Sequence, residues 1–251
     1  MDILSLIIGL IGLIPLVYLS YSYLLDYFPT RKFLAFDKAS NLDVIITTSS
    51  VSTSPKGAKV QRATTGIGQV QGVSHLSKFI GKFYKNKAID VHLGRGLALR
   101  PVGDLVLLGG PSKNEYSERF LQKFAHDNHD LQLEVDDNGA KIKIKDNIYD
   151  TSVLSIQKGL PAKDVCLVIC WKNPFSPVTS STRSVYCAGL TSYGTSGAAL
   201  WLFNDILTAK GGFEELRKKV GINSPNFLAV LSADIVNGGV AAVELLDVYK
   251  I

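Results

Sequence analysis

The first 25 residues constrain this chain more than anything that follows them. Ile3 to Leu25 runs for 23 residues without a charged side chain, and residues 1–25 hold 18 apolar residues against a single charge, Asp2. As a helix such a run spans about 35 Å, enough for a bilayer core of about 30 Å. Pro15 falls mid-run, which membrane helices tolerate. Tyr18, Tyr21, Tyr23 and Tyr27 gather at its C-terminal end, where an aromatic belt marks the membrane interface. A cleaved signal peptide is the competing reading. Against it, the segment has no basic start, its apolar run is long, and no small-residue cleavage site precedes the tyrosines. The expectation is a retained single-pass anchor in the lipid bilayer.

Flanking charge sets the expected orientation. Only Asp2 and the α-amino group precede the run, whereas Arg31, Lys32 and Lys38 follow it. By the positive-inside rule the C-terminal body is cytoplasmic. Cys166, Cys170 and Cys187 make an odd count that cannot pair internally, which suits a reducing compartment. Beyond residue 25 there are 27 basic and 21 acidic residues, a bias suited to anionic lipid. No Lys/Arg cluster is dense enough to indicate nucleic acid. Gly9 and Gly12 leave homo-oligomerisation through the anchor open, although they do not form G-x-x-x-G.

The rest of the chain has an ordinary globular composition, with 46% hydrophobic residues overall, which excludes disorder. Residues 26–42 read as a juxtamembrane connector and 43–251 as one domain. Short apolar runs at 43–48, 88–93, 104–108, 164–171 and 184–188 predict buried strands. Helical spacing marks 72–84, 117–126, 196–207 and 213–220. The polar stretch 49–59 reads as a long loop. Residues 131–145 alternate apolar with charged around Asp136-Asp137-Asn138-Gly139, a half-exposed β-hairpin serving as a flap or edge extension. Asn237-Gly238-Gly239 closes a second hairpin. Strands interleaved with helices predict a Rossmann-like, three-layer α/β domain with added β-hairpins.

In such folds ligands bind beyond the carboxyl ends of the strands, and three glycine-bearing loops are placed there. Gly66 and Gly68 precede a helix, where they can bring backbone N–H groups to an anion or simply allow helix entry. They fail the dinucleotide fingerprint, since the spacing is G-x-G-x-x-x-G. Gly110, Ser112 and Asn114 follow the strand 104–108, with Lys113 available to offset negative charge. Capping and ligand binding both fit this loop. Gly194, Thr195 and Ser196 sit between a strand and an apolar helix, where Thr195 or Ser196 can cap and the N–H groups can meet a phosphate or carboxylate. No G-x-S-x-G elbow or G-x-x-x-x-G-K-[ST] loop occurs.

Other features are weaker. His126 and His129 read as a solvated helix end and not as metal ligands. His92 is placed near the cleft, and Trp171 or Phe175 is a possible stacking partner for a base. Glu115 and Glu118 are the acids nearest the Gly-Gly turn, without a recognisable base or nucleophile partner.

The strand Asp43-Val-Ile-Ile-Thr-Thr, the Gly109-Gly110 turn and the Gly189–Gly197 loop resemble the Rossmann-like nucleotide-sensing domains of prokaryotic signalling and defence systems, the SLOG and TIR-like groups. The resemblance is one of architecture. The SLOG glycine pattern does not follow Gly109-Gly110, and no TIR-type catalytic glutamate can be placed. It implies a membrane-anchored sensor or effector that binds a nucleotide or related phosphorylated ligand. A nucleotide-cleaving hydrolase using Glu115 or Glu118, and a non-catalytic scaffold, are the alternatives.

Overall fold

The structure is a computed structural model. It describes residues 3–22, 33–36, 41–53, 60–84, 86–94, 100–135, 141–150, 156–157, 160–177, 179–206, 216, 218–220 and 226–251. A seven-stranded sheet forms the centre. Its strands are β1 (Leu42–Ile46), β2 (Ile89–Leu93), β3 (Asp104–Leu108), β4 (Lys163–Lys172), β5 (Arg183–Gly189), β6 (Phe227–Val236) and β7 (Gly239–Lys250), in spatial order β7-β6-β4-β5-β3-β1-β2. β2, β1, β3 and β5 pair in parallel. β4 runs antiparallel to both β5 and β6, and β7 runs antiparallel to β6. Five strands therefore point one way, with β4 and β7 reversed. The domain is a mixed α/β structure of the Rossmann-like kind.

Alternation along the strands feeds two cores, because successive side chains point to opposite faces. Val44, Val106, Val168 and Cys187 enter the first. There they meet α2 (Ile67–Phe83) and α4 (Ser192–Leu200), which continues as a π-helical turn, Trp201–Ile206. Ile45, Leu107, Leu167 and Tyr186 enter the second, covered by α3 (Glu115–Asp127). The parallel strands are apolar on both faces, as doubly covered strands must be. Phe33 and Phe36 also belong to the first core, stacking near Phe227 and Tyr84. That part of the expected connector is built into the body.

Several expectations about local structure are corrected. The stretch expected as a loop after β1 is a two-stranded ribbon, Ser49–Thr53 paired with Val60–Thr64. Its Ser, Thr and Val residues suit extended backbone even without an apolar pattern. The expected hairpin at 131–145 pairs only at Glu134–Val135 with Ile142–Lys143; its turn lies outside the described residues. The longer pairing is Lys141–Ile144 with Asn147–Asp150, through a turn with Lys145 at φ 55°. This small sheet lies over the second core. Ile142 and Ile144 are buried in it, and the Tyr149 hydroxyl bonds Asp247 on β7. It is a layer and not an edge extension. The expected helix at 213–220 falls mostly outside the described residues.

The N-terminal helix α1 runs from Ile3 to Ser22. Its side chains are described from Ile11 to Tyr21, and all of these are exposed. Among the fully described residues no helix is long and apolar enough to cross a membrane.

Candidate functional site

The site begins where β3 ends. Gly109 takes φ 109°, and a Cβ there would lie 1.8 Å from Thr47 Oγ1, so glycine is required. Its N–H donates to the Cys187 carbonyl at 2.9 Å, and its carbonyl accepts from Ser117 Oγ at 2.8 Å. Gly110 is different: the nearest atom to a Cβ built on it is 4.0 Å away. Its surroundings are open because the chain diverges here. The connection after β1 leads to α2 on the first face, whereas the one after β3 leads to α3 on the second. Adjacent parallel strands that send their connections to opposite faces leave a crevice between them at their carboxyl ends.

After β5 the chain turns into α4. Thr191 is its N-cap and accepts from the Tyr193 N–H at 3.2 Å. The expected cap at Thr195 or Ser196 is therefore corrected to a residue one turn earlier. Asp164, at the start of β4, reaches the same helix end. Its Oδ2 accepts from Gly194 N at 2.7 Å, Thr191 N at 2.9 Å and Thr191 Oγ1 at 2.5 Å. The anion position at the α4 N-terminus is thus filled from within the chain. Asp164 Oδ1 is buried and, among the described residues, has no partner at ordinary hydrogen-bond geometry. Burial raises the Asp164 pKa above the ordinary value, against the opposing effect of hydrogen bonds from Thr191, Gly194 and Val165.

The crevice is a cleft of about 380 Å³, within the roughly 300–1,000 Å³ range of small-molecule sites. Its polar lining comes from Thr47, Thr65 and Gln69 in the β1 connection, Ser112 and Lys113 after β3, and Ser192 on α4. Its apolar lining comes from Val135 and Ile142 in the small sheet, with Leu167, Tyr186 and Leu190. Among the described residues Lys113 is the only charged one in the lining, and it is exposed. Burial raises the Tyr186 pKa, so its hydroxyl stays protonated. Gln69 is 5% exposed, and among the described residues its buried Oε1 has no hydrogen-bond partner. An unsatisfied buried polar group costs about 1–3 kcal/mol, which packing alone does not require at this position.

Of the eight residues expected to bind ligand, Gly66, Gly110, Ser112 and Thr195 come together in this cleft. The other four serve the fold. Gly68 lies inside α2, where a Cβ would be 1.5 Å from the Ser192 carbonyl oxygen, so it lets α2 meet α4 backbone to backbone. Asn114 is fully buried and caps α3 through the N–H groups of Tyr116 and Ser117. Gly194 packs against Gly189 and Asp164. Ser196 donates to Gln71 Oε1 at 2.8 Å, tying α4 to α2.

The weaker features separate as well. Glu115 and Glu118 are exposed in the first turn of α3, outside the cleft lining. His92 lies on the edge strand β2 and bonds Asp43 at 3.1 Å, away from the cleft. Trp171 packs edge-on against Phe120 and Phe124, and Phe175 against Tyr116. Because β4 is reversed, its C-terminal end carries Trp171 to the opposite edge of the sheet and its start brings Asp164 to the edge where β3 and β5 end. Cys166, Cys170 and Cys187 are buried free thiols; burial pushes Cys170 up to about 12. Among the described residues no group of His, Cys, Asp and Glu is arranged to hold a metal. Comparison with family models, characterised proteins and solved structures finds no match.

Proposed function

We propose that this chain holds a nucleotide or related phosphorylated ligand in the cleft over Gly109-Gly110, and acts as a membrane-tethered sensor or effector. The observation that carries the reading is the divergence of the β1 and β3 connections over an open Gly110, with Lys113 as the one charge among the described lining residues. Polar lining with a cation suits a phosphate, and apolar lining suits a ring. Among the described residues the lining holds no carboxylate, imidazole or thiol.

The tether is the uncharged run of α1 and the basic residues Arg31, Lys32 and Lys38 after it, with the body on the cytoplasmic side. A thermal-shift screen of the full chain in detergent with NAD, ATP, ADP-ribose and cyclic dinucleotides tests the ligand reading. A ligand at a hundred times its Kd stabilises by about 2.7 kcal/mol. No shift with any of the four contradicts it and leaves a scaffold role.

A further inference from the structure

Gln69 poses a problem that the fold does not solve. It is the third residue of α2, 5% exposed, and it lines the cleft between the Gly66 entry and the Gly109 turn. A Cβ placed on Gly66 would fall 2.5 Å from its Oε1, and one on Gly109 would fall 3.1 Å from its Nε2, so both glycines leave room for this carboxamide. Yet among the described residues Oε1 has no hydrogen-bond partner. Buried polar atoms are normally paired, and those that are not mark a missing partner. The last torsion of a glutamine is broad, so the amide can turn its oxygen toward the cleft at small cost.

The position of the anion follows by elimination. The α4 N-terminus is neutralised by Asp164 at Gly194 and Thr191. Among the described lining residues Lys113 is the remaining charged group. We propose that Gln69 is the residue that selects the ligand, accepting a hydrogen bond from a hydroxyl or N–H of a phosphorylated molecule whose anionic end lies at Lys113. This rests on the binding function proposed for the cleft and deepens it: the ligand carries a donor group as well as a phosphate, as sugar phosphates and nucleotides do.

The test compares wild type with Gln69→Leu and Gln69→Met in the full chain, by calorimetric titration with ATP, ADP-ribose and NAD and by unfolding without ligand. Both variants remove the unpaired amide at similar volume. The expected result is at least a tenfold weaker Kd for the probe that binds wild type, with a ligand-free unfolding midpoint that is unchanged or higher. Equal affinity in wild type and both variants overturns the assignment of Gln69 while leaving the binding function standing. A ligand-free midpoint lowered by several degrees in both variants also overturns it, because the amide is then structural. If wild type binds none of the three probes, the binding function itself fails and Gln69 falls with it.

Discussion

Asp164 Oδ2 lies 2.7 Å from the backbone nitrogen of Gly194 and so occupies the place at the entry of α4 where an external anion would be met. The carboxylate is buried, and its pKa is raised above the ordinary 3.8. Between those two values the native state binds more protons than the unfolded chain, so stability falls as pH rises. The contribution is full below pH 3.8 and lost as pH passes through the raised native value. Asp164→Asn removes this term. Urea unfolding of both proteins across that window is expected to show their stability difference shifting in favour of Asp164→Asn as pH rises. Asp164→Ala strands two backbone donors and costs about 2–4 kcal/mol.

Two glycines from the same expected set separate fold from ligand. Gly68→Ala places a methyl group 1.5 Å from the Ser192 carbonyl oxygen, forcing α2 off α4. The helix-propensity gain of up to about 1 kcal/mol does not offset that clash, so thermal unfolding is expected at a markedly lower midpoint. Gly110→Ala has 4.0 Å of clearance and is expected to change stability by less than about 0.5 kcal/mol. Its methyl group narrows the cleft, so titration with ATP or ADP-ribose is expected to show weaker binding.

Lys87 and Asp104 form a fully buried ion pair at 2.8 Å, and Asp104 also accepts the Arg183 N–H at 2.9 Å. This pair holds the segment after α2 against the start of β3. Lys87→Met leaves Asp104 buried with its main counter-charge gone. Denaturant unfolding is expected to show a loss of about 3–5 kcal/mol. A loss below about 1 kcal/mol contradicts that role.

The strands were readable because β1, β3, β4 and β5 are continuous apolar runs, which only a doubly covered sheet requires. The entry to α4 was not readable. Gly194 and Gly197 look like loop residues, yet they are glycine because Asp164 and Ala233 press against them. Asp164 is not legible for another reason: strand direction is a property of pairing, and only the reversal of β4 brings its first residues to the edge where β3 and β5 end. Asn114 and Ser196 have the residue types of a ligand loop, but their polar atoms go to α3 and α2. Gln69 carried no signal at all, since an isolated glutamine in a helix is ordinary until its surroundings are seen.

The tether makes its own prediction. Full-length protein is expected to stay in the membrane fraction after alkaline carbonate washing, and protease added outside intact cells is expected to leave the body uncut. Release by carbonate contradicts the anchor. External digestion of the body contradicts its orientation alone.

Binding of a phosphorylated ligand over Gly110 is the central proposal. The most direct measurement is the backbone amide spectrum of the isotopically labelled full chain in detergent, recorded during titration with ATP and ADP-ribose. The prediction is saturable shifts concentrated at Gly66, Gly110, Ser112 and Ser192, with Glu115 and Glu118 moving less. A folded protein in which those four amides stay fixed at saturating concentrations of both nucleotides would contradict it.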